Sequence, residues 1–481
     1  MELISLKLLL FPLLILCSSR AVLAQHLVES LPGLPDKLPN KFETGYIGVG
    51  ENEEAQLFYY FFESESKPEK DPLLLWLTGG PGCTGLSTIL LEMGTFMLDY
   101  ANSKGGSVAL KLNEYAWTKA ANILFIDQPV GTGFSYSKTL ESSLANDTLS
   151  GKLTYDFLKK WLIGHPKYLE NPLYIFGESY GGIIIPLVVN EVYNGIDAGD
   201  KPVLNMKGYG IGNPITDLFA DLNERIPYAH RMGLLSDKLY QSAKVNCHGN
   251  YLNVDSDNDL CLNDIEKINQ CLDRIAKAHI LDPWCEDSLA KKQDVLSWYM
   301  SFEENSINFL QSVVAAGKKE WCREDNVRLA HTWANDKSAQ KALNVREGTI
   351  KQWVRCNQSI VNSTPGPSGI IPYINNVKRT VGYHQKFTHK SARVLIFSGD
   401  HDMMAPHIST EKWIESLKVP IKSDWRPWFH ENQIGGYTMQ YAQGDYELTY
   451  ATIKGGGHTN PEFRPKESFV MFDRWIRGNT L

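Results

Sequence analysis

Residues 173–193 narrow the possible folds of this chain more than any other stretch. A short apolar run, Leu173-Tyr-Ile-Phe176, leads directly into Gly177-Glu-Ser179-Tyr-Gly181, and a helix-like apolar segment, Ile183 to Tyr193, follows. The chain has 38 glycines in 481 residues. At that frequency a bare GxSxG pattern is expected about 0.2 times by chance, so the pattern alone carries little. Its setting carries more. A strand, a tight turn and a helix place the serine on a strained bend with its hydroxyl exposed, the geometry of a nucleophile elbow. The chain around such an elbow must combine strands with helices.

Other segments agree. A strand pair is predicted between Thr44 and Glu63, and Leu73 to Leu77, Ile123 to Ile126 and Val394 to Phe397 are short apolar runs closed by turn residues. Such runs read as strands buried on both faces of a mixed or parallel sheet. Helix-like segments, Thr154 to Ile163 and Ile183 to Tyr193, lie between them. The alternation predicts an α/β fold around a central mixed sheet. Residues 216–345 differ in being rich in charge, cysteine and helical pattern, as at Asp264 to His279. They read as an inserted, disulfide-stapled helical cap that divides the core into 25–215 and 346–481. Insertions over such sheets shape substrate pockets. There is no internal repeat and no low-complexity tract.

The N-terminus reads as an export signal. Lys7 precedes the apolar run Leu8 to Cys17, and Val22-Leu-Ala24 offers small residues for cleavage before Gln25. Ten apolar residues are too few to cross a bilayer, which requires about 20. Residues 1–24 are therefore expected to leave a mature protein of the secretory pathway, vacuolar or extracellular, with no membrane attachment, and a monomer. A net charge of −7 and a pI near 6.0 give no footprint for nucleic acid. Loss of Cys17 leaves seven cysteines, an odd number that an oxidising compartment should mostly pair. No CxxC and no HExxH spacing occurs, so neither a metal nor another cofactor is expected. Sequons at Asn146, Asn357 and Asn362 fit glycosylation in that pathway.

A serine hydroxyl is a poor nucleophile without a base, so a histidine and an orienting acid are required. Asp402 lies in Gly399-Asp-His-Asp402 beyond the Val394 strand. His458 lies in Gly455-Gly-Gly-His458 after an expected strand, Leu448 to Ile453. The order Ser, Asp, His is that of α/β-hydrolases. Asp400 competes for the acid role but follows its strand immediately and reads as a turn brace. Two backbone N–H groups must hold the oxyanion. The glycine-rich loop Thr78-Gly-Gly-Pro-Gly82 makes Gly80, with Tyr180, the expected donor pair. Gly208-Tyr-Gly-Ile-Gly212 lacks GxGxxG spacing and is rejected as a dinucleotide loop.

Five stretches now stand in one order: Trp76 to Cys83, Gln128 to Tyr136, Gly177 to Gly181, Gly399 to Asp402 and Gly455 to Thr459. Together they resemble the serine carboxypeptidase-like family over nearly all of the mature length. The resemblance implies an α/β-hydrolase fold with a helical insertion, the triad Ser179, Asp402 and His458, and oxyanion donors Gly80 and Tyr180. It also implies substrate contacts at Thr78, Gly79, Glu92 and Glu178, the two glutamates sharing a proton. Peptidases of the family have Asn where this chain has Thr78. Asp127-Gln-Pro-Val-Gly-Thr-Gly133 and Trp425 to Tyr437 are similar to the plant acyltransferase branch. That branch moves an acyl group from a 1-O-acylglucose donor to an alcohol acceptor in specialised metabolism. The competing expectations are an acid carboxypeptidase with the same triad and an idle binding protein, which the full triad argues against. The resemblance further implies disulfides Cys83–Cys356, Cys247–Cys261 and Cys285–Cys322, with Cys271 unpaired.

Overall fold

The apolar runs of the sequence become interior strands of one sheet. The structure, a computed structural model, describes residues 25–104, 107–284, 322–357 and 373–481. Its strands are β1 (His26–Leu27), β2 (Phe42–Val49), β3 (Ala55–Phe62), β4 (Leu73–Leu77), β5 (Phe96–Leu98), β6 (Leu110–Leu112) and β7 (Asn122–Ile126). They continue with β8 (Tyr136–Ser137), β9 (Leu173–Glu178), β10 (Met206–Gly212), β11 (Ala392–Gly399), β12 (Ile421–His430), β13 (Gln433–Gln443) and β14 (Tyr446–Ile453). The main sheet runs β1-β2-β3-β7-β4-β9-β10-β11-β14-β13-β12, with β8 beside β3. From β7 to β14 every pairing is parallel, and both flanks are antiparallel. The sheet is mixed, as expected, and the apolar runs of β4, β7 and β11 lie in its parallel centre, which is covered on both faces.

On one face pack the helices Asp147–Gly164 and Gly181–Ala198, through Trp161, Ile183 and Val188. The other face carries Trp117, Phe472 and Trp475. Residues before 281 in the cysteine-rich region gather around Tyr228, Cys247, Cys261 and Ile268 and meet the core at Met403 and Ile408. Leu329, Trp333 and Leu343 pack instead with the sheet's second face.

Three of the longer strands of the main sheet, β10, β12 and β13, escape the sequence pattern. In β10 the glycines replace the apolar residues that mark its neighbours. An added Cβ at Gly210 would stand 2.3 Å from the Phe176 ring, and one at Gly212 would stand 2.6 Å from the Phe397 ring. Large side chains on adjacent strands thus fill the space that β10 leaves. The hairpin β12–β13 lies at the sheet edge, where exposed, half-buried and buried residues are mixed and no apolar run forms. The helix expected over Asp264 to His279 instead spans Asp259–Leu272. Asn258 starts it by accepting the Cys261 N–H, and residues 273–280 leave it as an irregular segment.

Cys83–Cys356 and Cys247–Cys261 are disulfides. Cys322 is also disulfide-bonded, while its expected partner Cys285 lies outside the described residues. Cys271 is free and exposed. The expected signal peptide and Asn362 likewise lie outside the described residues. Asn146 caps the helix Asp147–Gly164 through its side-chain oxygen, and Asn357 donates its side-chain amide to the Gly131 carbonyl at 2.7 Å. Among the described residues no helix is long and apolar enough to cross a membrane.

Candidate active site

The centre of the site is the turn between β9 and the helix Gly181–Ala198. Ser179 has φ 57°, a left-handed conformation that costs a non-glycine residue about 1–3 kcal/mol unless its surroundings hold it there. Its N–H donates to the Gly212 carbonyl at 2.9 Å, and its own carbonyl accepts from Gly182 and Ile215, both at 2.9 Å. The hydroxyl of Ser179 lies 2.8 Å from His458 Nε2. On the far side of that ring, Nδ1 lies 2.8 Å from Asp402 Oδ2.

Asp402 is fully buried and meets further donors: the Asn213 side-chain amide at 2.7 Å, the Met404 N–H at 2.7 Å and the Ala405 N–H at 3.3 Å. With these donors on its oxygens, the carboxylate is fixed where it can accept from Nδ1, which leaves Nε2 facing the serine hydroxyl. Asp400 turns elsewhere. Its carboxylate accepts the Gly455 N–H and the His401 ring N–H, both at 2.6 Å, which braces the turn before His458.

The amino-acid sequence matches the serine carboxypeptidase family over residues 32–478. The chain belongs to that family. Serine carboxypeptidase-like 17 of Arabidopsis thaliana is 43% identical over 454 residues, covering 94% of this chain and 93% of that protein. Serine carboxypeptidase-like 2 of the same plant is 42% identical over 477 residues, covering 99% and 98%. Among solved structures, Kex1(Δ)p, a prohormone-processing carboxypeptidase from Saccharomyces cerevisiae, superposes with a TM-score of 0.70 at 19% identity, covering 93% of this chain and 94% of that one. That likeness shows the α/β-hydrolase fold.

In this serine carboxypeptidase-family chain the expected oxyanion loop lies against the nucleophile turn. An added Cβ at Gly79 would stand 2.7 Å from the Ser179 Cβ and 3.1 Å from the Tyr180 nitrogen, so only glycine permits the approach. Gly80 follows with φ +114°. The loop is tied down by the Cys83–Cys356 disulfide, by the Thr84 N–H on the Arg355 carbonyl and by the Asn357 N–H on the Gly82 carbonyl, both at 2.9 Å.

Glu92 and Glu178 meet beside this turn and share a hydrogen bond. Burial, reinforced by the Glu462 charge and opposed by Arg355, pushes Glu92 up to about 8. Burial and the Glu92 charge hold Glu178 well above the usual carboxylate range. Two adjacent buried carboxylates resist double ionisation, so the pair retains a proton in mildly acidic solution. Thr88 also hydrogen-bonds Glu92, and its hydroxyl lies 2.9 Å from that of Thr78, which is only 8% exposed.

Sequence reasoning missed Thr88, Asn213, Arg355, Asn460 and Glu462. Asn213 receives the Asn460 amide on its side-chain oxygen, and Glu462 accepts the Thr459 hydroxyl at 2.8 Å and faces Arg323 at 3.4 Å. None of these carries a motif of its own, and the partners of Asn213 and Asn460, with Arg323 opposite Glu462, are distant in sequence. Among the described residues no group of His, Cys, Asp and Glu is arranged to hold a metal ion.

Proposed function

We propose that this protein is an acyltransferase that moves an acyl group from a 1-O-acylglucose to an alcohol acceptor. His458 Nε2 takes the Ser179 proton as Oγ attacks the ester carbonyl. The bond from carbon to the glucose O1 breaks, and His458 returns the proton to that leaving oxygen. The acceptor then gives its hydroxyl proton to His458 and attacks the acyl-enzyme, releasing the new ester and restoring Ser179. The N–H groups of Gly80 and Tyr180 hold the oxyanion in both halves. Thr78, Gly79, Glu92 and Glu178 contact the donor.

The observation that carries this reading is the Thr78–Thr88 contact. A peptidase that reads a free C-terminus needs a convergent donor for a carboxylate beside the scissile bond, and an asparagine amide would supply it. Here the residue at that place is a threonine whose hydroxyl already faces another hydroxyl at 2.9 Å. A protonated Glu92–Glu178 pair can donate to a sugar or alcohol oxygen, so it serves an ester donor equally well. The cysteine-rich insertion supports transfer because an acceptor must outcompete water at the acyl-enzyme. Action in the secretory pathway, in a vacuole or outside the cell, belongs to the same proposal, as does a role in specialised metabolism.

The second reading is an acid carboxypeptidase, favoured by the same proton-sharing glutamates, which could hold a peptide's terminal carboxylate. Partitioning decides between them. With an acyl-glucose and rising alcohol, ester should increase at constant donor consumption. Efficient release of C-terminal residues from blocked dipeptides, with no ester formed from any acyl-glucose, would establish the peptidase.

A further inference from the structure

His458 hangs on a tether that cannot hold its own shape. The three residues before it, Gly455-Gly-Gly457, have no side chains to pack and lose more conformational freedom on folding than any others. The position of the imidazole must therefore be set from outside the loop.

Part of that support comes from residues 277–280, the irregular segment that follows the helix Asp259–Leu272. The Ala278 carbonyl accepts the His458 N–H at 2.7 Å. The Lys277 carbonyl accepts the Met403 N–H at 2.9 Å, and the Ile280 N–H donates to the His401 carbonyl at 3.1 Å. One short strap thus touches both the loop of the acid and the loop of the base. Gly457 lies so close to it that an added Cβ would stand 2.6 Å from the Ala278 oxygen.

Within the strap one side chain is aimed at the tether. His279 is buried. Its Nδ1 accepts the Leu281 N–H at 3.3 Å, which leaves the ring proton on Nε2, and Nε2 donates to the Gly455 carbonyl at 3.0 Å. Its ring stacks with those of His401, at 5.5 Å, and Phe463, at 4.7 Å. Gly455 is therefore gripped from two sides, by Asp400 on its N–H at 2.6 Å and by His279 and Arg464, at 2.9 Å, on its carbonyl.

We propose that His279 is a positioning residue that acts through Gly455 to hold His458 within reach of Ser179. Residues 277–280 of the inserted region then help complete the triad geometry. The inference rests on the reading of His458 as the base and Ser179 as the nucleophile, and goes beyond it.

The test compares the full-length variants H279F and H279L, which lose the N–H donor, with H279Q, whose amide can reach the Nε2 position. Active sites are counted by titration with a serine-reactive phosphonate, and turnover of an acyl-glucose is expressed per titrated site. H279F and H279L should lose about tenfold in kcat with KM nearly unchanged, because a small misplacement of the base slows proton transfer without weakening binding. H279Q should recover to within about threefold of wild type although it lacks the stacked ring. A packing role predicts the reverse, with H279F the best variant. Should one apolar variant not accumulate as folded protein, the other carries the comparison. Wild-type kcat per site in H279F or H279L, or H279Q no faster than they are, would overturn the proposal. Failure of wild-type Ser179 to take up the phosphonate would instead remove the nucleophile reading on which it rests.

Discussion

Asn213 donates its side-chain amide to Asp402 Oδ2 at 2.7 Å, the same oxygen that faces His458 Nδ1. The residue sits just beyond β10 with φ 43° and is fully buried. It braces the carboxylate that faces the His458 ring. The variant N213G keeps the left-handed backbone while removing the amide. Its kcat should fall by about tenfold, since groups around a triad act by orientation. The Asn213 side-chain oxygen also accepts the Gly399 N–H at 3.3 Å and the Asn460 amide, and losing that buried acceptor should cost about 1–3 kcal/mol. Urea unfolding and steady-state kinetics on the same samples check both. Unchanged kcat would show that Asp402 needs no such support.

The triad reading gives sharper numbers. S179A and H458A should each lower kcat by about 10⁶, and D402A by about 10⁴, the pattern of the handled-as-a-unit triad in subtilisin. Circular dichroism should show a retained fold. An S179A protein with a tenth of wild-type activity would rule out the acyl-enzyme.

Stability should depend on pH through the buried glutamates. Glu92 rises from 4.5 to about 8 on folding, so between those values the folded state binds a proton that the unfolded state has released. Stability from this group is complete below about pH 4.5 and is lost as pH climbs toward 8. The melting temperature should therefore fall across that window, and E92Q, which is neutral throughout, should flatten the slope. Glu43 runs the opposite way. Its folded value is lowered to about 2, burial being outweighed by His165 and Lys41, so its contribution is present above 4.5 and fades as pH drops toward 2. Equal slopes in wild type and E92Q would show that the pair is not the source.

Thr78 should decide reaction type. T78N removes the contact with Thr88 and places an amide beside Ser179. The ratio of kcat/KM for a blocked dipeptide to that for an acyl-glucose should rise by at least about tenfold, since a buried polar match is worth that much discrimination or more. No change in the ratio would assign peptide recognition, or its absence, to other residues.

How much was legible in the sequence follows from how local each signal was. The elbow at Ser179 could be read because strand, turn and helix are contiguous. Leu73–Leu77 and Leu173–Phe176 could be read because a strand covered on both faces must be apolar throughout. β10 could not be read, since its glycines answer to Phe176 and Phe397 on neighbouring strands. The end of the helix Asp259–Leu272 was missed because the residues after it turn away to bond the loops of Asp402 and His458, a long-range demand that leaves no local mark.

By itself the sequence determined the fold class, the serine in its elbow and the order in which acid and base follow, because each depends on residue type next to a strand end. The sequence had already preferred Asp402 to Asp400, and the tertiary structure supplied the contact, with Asp402 Oδ2 2.8 Å from His458 Nδ1. That structure alone brought Thr88 to Thr78, Asn213 to Asp402 and residues 277–280 to the glycine tether. Thr78 and Thr88 are brought together by the turn between them, whereas the other two contacts join segments far apart in the chain and are set by how the sheet and its insertion pack together.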